Sequence, residues 1–157
     1  MLGHLPERVN EYMLRVIGAY LLAVILGYVA AAAATTQSVM SSLAGMGVAV
    51  SVLDRLVTTG RDIVGMTSSY LPIIAVAFAV AFPVAALVLR WRPDWRWFGY
   101  PLAGGVAILV VHLALEFTFG FTPVAAVRTV PGLIVQSLCG VLGGWVFLRA
   151  CPAPARG

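Results

Sequence analysis

The chain has 157 residues, 61% of them hydrophobic and only 10% charged. A water-soluble domain carries about 25% charged residues, and disorder needs high charge with low hydrophobicity, so both classes are excluded. All ten basic residues are arginine, the formal charge is +4, and the arginines fall in small groups between apolar runs, which excludes the single basic patch of a nucleic-acid-binding protein.

Stretches free of Asp, Glu, Lys and Arg cover 16–53, 63–89, 97–115 and 129–148. Each is long enough for a transmembrane helix, which needs about 20 mostly apolar residues. The runs are too long and too unalternating for barrel strands. The expected fold is an all-α integral membrane protein. It has four transmembrane helices, with a short amphipathic helical cap between TM1 and TM2, in a single four-span membrane domain over 1-157.

TM1 is predicted at about 14-35. A cleavable signal peptide is the competing reading, because a run of alanines follows residues 16–34. That apolar run exceeds the about 7–15 residues of a signal core, and Glu7 and Glu11 stand among the flanking residues. We therefore expect an uncleaved anchor.

The outer segment, 36-69, carries its own pattern. Val39, Met40, Leu43 and Val50 keep a helical spacing, so TM1 is expected to continue past the membrane until Gly45-Met46-Gly47 breaks it. From Ser51 to Val64, the apolar residues Val52, Leu53, Leu56, Val57, Ile63 and Val64 fall within about 140° of a helical wheel. Asp54, Arg55, Thr58, Thr59, Arg61 and Asp62 take the other side, and Gly60 is the weak point. The charges of Asp54, Arg55, Arg61 and Asp62 cancel, unlike those of a polybasic lipid-binding helix. The expected place is over the outer ends of the transmembrane helices or flat in the interface. A structural lid is preferred to a docking surface or gate, because amphipathic packing alone carries no function.

TM2 is predicted at about 70-90. It has Ala77, Ala81 and Ala85 at four-residue spacing, and Pro83 as a kink. The TM2–TM3 loop holds Arg90, Trp91, Arg92, Trp95, Arg96 and Trp97. These are interfacial anchors, with tryptophan at the headgroup level and arginine reaching phosphates. Specific recognition of an anionic lipid is the alternative.

TM3 is predicted at about 98-118, with Pro101, Gly105, Ile108, His112 and Glu116 along one face. TM4 is predicted at about 125-149, with Gly132, Gln136, Cys139, Gly140 and Gly143 along one face and Pro131 one turn in. Gly140 and Gly144 form a GxxxG pair. Gly105, Gly132, Gln136, Gly140 and Gly144 are the expected packing residues, within the chain or along a homo-oligomer seam. Gln136 should hydrogen-bond another helix for about 1 kcal/mol at most. Cys139 and Cys151 lie about 18 Å apart on a continuous helix, too far for a disulfide.

Four spans put the N-terminus, the TM2–TM3 loop and the C-terminus on one side. That side holds seven arginines, Arg8, Arg15, Arg90, Arg92, Arg96, Arg149 and Arg156, against Arg55, Arg61 and Arg128 on the other. Arginine stays cytoplasmic, so both termini are expected inside, in a bacterial inner membrane.

His112 and Glu116 share a face of TM3, and Arg128 opens TM4 across a short loop. An ionisable group at membrane depth is a functional candidate by default. His112, Glu116 and Arg128 are therefore read in two ways. In the preferred one, Glu116 and Arg128 form a structural ion pair with His112 beside it, because both charges sit near helix ends. In the other, His112 and Glu116 are a proton-linked or cation-binding site. They are too few for a metal, which needs three or four ligands.

No hydrolase, zinc-protease, P-loop or dinucleotide motif is present. The expectation is a non-enzymatic membrane protein without metal or other cofactor. It is an accessory or scaffold subunit or a self-assembling protein, whose partners are the lipid bilayer and a homo-oligomer or larger membrane complex, with no nucleic acid. The alternative is a small channel or transporter lined by His112, Glu116 and Arg128.

Overall fold

A computed structural model describes residues 5–120 and 124–152, with side chains from Val9 onward. His4 and Arg156 lie outside the described residues, as does the side chain of Arg8. Five α-helices and two short 3-10 turns make up the described chain: α1 (Leu5–Gly45), α2 (Val52–Gly65), α3 (Tyr70–Leu89), α4 (Arg96–Phe119) and α5 (Val130–Ala150). No strand occurs among the described residues. Four stretches are long and apolar enough to cross a membrane: Val9–Gly45, Tyr70–Leu89, Pro93–Phe119 and Val130–Ala150.

Helix α1 has 41 residues and is about 60 Å long, twice the hydrocarbon thickness of a bilayer. It stops at the expected glycines, where Gly47 takes a φ of 85° that disfavours side-chain-bearing residues. Helix α2 starts on a reciprocal cap. The Ser51 hydroxyl oxygen accepts from the Asp54 N–H, and the Asp54 carboxylate accepts from the Ser51 N–H. With that start fixed, Gly60 does not break it. Helix α3 likewise continues through Pro83.

The last helix starts later than the sequence suggests. Ala125–Arg128 form a 3-10 turn, and α5 begins at Val130 with Thr129 as its cap, accepting from the Gly132 N–H at 3.2 Å. Pro131 has no N–H, so the first turn is where it costs least. The helix therefore begins just before it, and Arg128 is left off the helix.

The long helices form an up–down–up–down ring. Helix α5 packs between α4 and α1, and α3 closes the ring against both of those helices. The α4–α5 seam is a backbone-to-backbone contact. A Cβ on Gly104 would overlap the Gly140 carbonyl oxygen, and one on Gly144 would overlap the Tyr100 carbonyl oxygen. One on Gly105 would stand 2.7 Å from Val141 Cγ2. Small residues bring membrane helices this close, and the GxxxG pair is used here within the chain.

At the end away from α2, the core is aromatic. Phe82 stacks on Phe147 with centroids 4.3 Å apart, Phe78 lies 4.8 Å from Phe82, and Tyr100 meets Phe147 edge-on at 5.1 Å. Phe78 is fully buried because Gly27 and Gly143 leave a socket for its ring.

Candidate functional site

Toward the α2 end, the core changes from aromatic to polar. Tyr70 is the first residue of α3, and its side chain is buried. Its hydroxyl donates to Gln136 Oε1 at 3.1 Å and lies 3.0 Å from His112 Nε2. A phenol has one O–H, and it is donated to the Gln136 oxygen. His112 Nε2 must then carry a hydrogen and donate to the Tyr70 oxygen. Gln136 is 0% exposed, and its Nε2 donates to the Ala31 carbonyl at 3.0 Å and to Thr35 Oγ1 at 2.8 Å. Thr35 in turn donates to the Ala31 carbonyl at 3.0 Å. One connected network thus joins α1, α3, α4 and α5.

A second polar layer ties α2 to α1. Thr36 Oγ1 donates to Asp62 Oδ2 at 2.7 Å. Gln37 donates to Thr59 Oγ1 and accepts from Arg55 Nη1, both at 3.0 Å. The Tyr28 hydroxyl donates to the Ile63 carbonyl and lies 3.3 Å from Thr67 Oγ1. The Tyr28 ring also meets Tyr70 edge-on at 6.4 Å, which links the two layers.

These contacts correct the expected place of α2. It does not lie across the ends of the long helices. It runs antiparallel along the C-terminal part of α1, with Arg55 and Thr59 at Gln37 and Ile63 and Thr67 at Tyr28. Its polar side faces inward, and Ile63 and Met66 reach the core. Its apolar stripe faces outward: Val52, Leu53, Leu56, Val57 and Val64 are 44% to 76% exposed. The inversion has a local cause, since the α1 surface it meets is Thr36 and Gln37 and a polar face is its complement.

Of the candidate polar residues, only His112 belongs to the buried network. Glu116 and Arg128 are exposed, and no ion pair forms among the described residues. The late start of α5 is the reason. The 3-10 turn buries Ala126 and Val127 and leaves Arg128 outside, while Glu116 lies on the last turn of α4. Sequence reasoning missed Tyr70, Thr35 and Thr36. The available signal was hydroxyl groups in an otherwise alanine-rich apolar run.

The four charges of α2 separate in role. Arg55 and Asp62 bind α1, and Asp54 caps its own helix. Arg61 is exposed. The Ser51 hydroxyl, with help from the Ser51 N–H, holds the Asp54 carboxyl below the usual carboxylate range. Gly132 packs against the Ala126 carbonyl.

At the opposite end, Arg90, Trp91, Arg92, Trp95 and Trp97 remain in the connection and first turn, with the three tryptophans 61% to 84% exposed. Arg96 differs from them. Its Nη2 donates to the carbonyls of Cys151 and Pro152 at 3.2 and 3.1 Å, and its guanidinium lies 5.9 Å from the Tyr100 ring centroid. It ties the start of α4 to the end of α5.

A cleft of about 320 Å³ opens between α1, the 3-10 turn and the start of α5. Gln37, Ser38, Ser41 and Thr129 line it, and Gln136 is in its wall. Among the described residues, no three His, Cys, Asp or Glu side chains converge on one point. The side-chain donors of Tyr70, Gln136 and Thr35 are all used within the network and His112 joins it through Nε2, which suits it to holding helices in register. No protein-family model matches this chain, and neither a search of curated proteins nor one of solved structures returns a match.

Proposed function

We propose that this chain is a non-enzymatic integral membrane protein, an accessory or scaffold subunit that assembles with itself or within a larger membrane complex. Helices α1, α3, α4 and α5 span the bilayer, with both termini on the cytoplasmic side of a bacterial inner membrane. The single observation that carries this reading is the closed network of Thr35, Tyr70, His112 and Gln136. Tyr70, Gln136 and Thr35 bond one another, His112 joins them through Nε2, and the charges of Glu116 and Arg128 stand apart from them. A permeation path would keep such groups open to water or an ion.

The second reading, a small channel or transporter, is favoured by one feature. The cleft lined by Gln37, Ser38, Ser41 and Thr129 reaches Gln136, which is one bond from Tyr70 and two from His112.

Proteoliposome flux separates the two. Purified protein is reconstituted, and proton and potassium fluxes are compared with those of empty vesicles. The expected result is no difference, together with a fixed stoichiometry, to itself or to one partner, in native mass spectrometry of the complex extracted from membranes. A flux that His112→Asn abolishes overturns the scaffold reading.

A further inference from the structure

We infer that the exposed apolar stripe of α2 faces the acyl chains of the outer leaflet, so that α2 is a partly inserted helix rather than an aqueous cap. This rests on the membrane reading above.

The depth argument comes first. Helix α2 is fastened at its C-terminal end to Tyr28, through the Ile63 carbonyl and Thr67. Tyr28 lies about 20 Å along α1 from Arg15, the last charge before the apolar run. The hydrocarbon core is about 30 Å thick. The same level, at Tyr70 and His112, lies about 30 Å along α3 from Arg90 and about 24 Å along α4 from Arg96, so the C-terminal end of α2 meets the outer part of the hydrocarbon. Its upper end, near Gln37, reaches the interface.

The direction of its faces agrees. The polar side chains that would be costly in lipid are turned onto α1: Arg55 to Gln37, Thr59 to Gln37, and Asp62 to Thr36. The side away from α1 presents Val52, Leu53, Leu56, Val57 and Val64. A helix in water does the reverse. The apolar stripe is also continuous in character with the exposed faces of its neighbours, Leu22 and Ile25 on α1 and Val76 and Val80 on α3. In this position α2 screens Thr36 and Gln37 from lipid. Arg61 is the one exposed charge low on the helix. Side chains tilt toward a helix N-terminus, and here that direction leads out to the headgroups, where an arginine reaches phosphate while its stem stays in the apolar layer.

Spin-label accessibility tests this. Cys139 and Cys151 are first replaced by alanine. Single cysteines are then introduced as Leu56→Cys and Val64→Cys on α2, Val80→Cys on α3, and Met46→Cys at the exposed tip beyond α1. Each labelled protein is reconstituted in phosphatidylethanolamine/phosphatidylglycerol vesicles. Collision with oxygen, which concentrates in lipid, is compared with collision with a water-soluble nickel chelate. The expected result is that the label at Val64 favours oxygen, as at Val80, that the label at Leu56 falls between Val80 and Met46, and that Met46 favours nickel. If Leu56 and Val64 follow Met46 while Val80 stays in lipid, α2 lies in water and the inference fails alone. If both α2 labels are shielded from oxygen and nickel, a second protein surface covers the stripe, and the inference fails in that way. If Val80 itself favours nickel, the membrane reading fails.

Discussion

One side chain, Gln136, bridges three helices. Its amide nitrogen donates to Ala31 and Thr35 on α1, and its oxygen accepts from the Tyr70 hydroxyl on α3. Interhelical hydrogen bonds in membrane proteins average about 0.6 kcal/mol each. Gln136→Leu keeps a similar volume and removes three, so a loss of about 2 kcal/mol is expected in detergent, read as a lower unfolding temperature. Tyr70→Phe removes one of the same bonds, so the double variant should lose less than the sum of the two. Additive losses would mean that the two residues do not share a bond. Glu116→Gln, by contrast, should leave the unfolding temperature within error, because the carboxylate has no ionic partner. His112 and Gln136 were legible in the sequence as polar residues in apolar runs. Tyr70 and Thr35 were not, because a tyrosine at a helix start and a threonine among alanines are equally ordinary in an interface or a packed face. The Glu116–Arg128 pairing was permitted by spacing and undone by where Pro131 lets α5 begin.

Individual helices were legible to within a few residues at most ends, since runs free of charge and strong breakers such as Gly45-Met46-Gly47 act locally. The side that α2 turns inward was not, because periodicity defines two faces without saying what the neighbour offers. That neighbour is Thr36 and Gln37, 18 to 26 residues upstream of their partners on α2. The start of α2 depends on Ser51 and Asp54, which gives a pH signature. Asp54 titrates below its unfolded value of about 3.9, so its contribution to the cap is fully present above that pH and is lost as pH falls through the folded value. The carboxyl carbon shift of Asp54 should titrate with a midpoint under about 3.9, and Ser51→Ala should move the midpoint up toward it. An ordinary midpoint in the unmodified protein would show that the cap does not form. The α4–α5 seam gives a steric test. Gly104→Ala places a methyl group on the Gly140 carbonyl, for which an overpacking cost on the order of 1–3 kcal/mol is expected. Gly18→Ala on α1 meets nothing within 4 Å and should be neutral or stabilising by up to about 1 kcal/mol. Equal effects at the two glycines in thermal unfolding would remove the case for a close seam.

At the scale of the whole molecule, the bundle divides its interior by chemistry. Aromatic rings fill one end, hydrogen bonds the other, and glycine brings the backbones together between them. Each of these devices closes within one chain: Phe78 into Gly27 and Gly143, Gly104 against Gly140, Gln136 against Thr35 and Tyr70. Assembly with other copies or partners is then an addition to a monomer that already holds together. The alternative is a fold completed only by a second copy, and the two differ in mass action. An obligate oligomer loses stability on dilution, because unfolding releases subunits, whereas a self-sufficient monomer does not. The unfolding temperature should therefore stay constant over about a hundredfold fall in the protein-to-detergent mole ratio, even where native mass spectrometry finds an oligomer. A fall of several degrees across that range would mean that copies share part of the core, and the intrachain seams would then be insufficient to account for the fold.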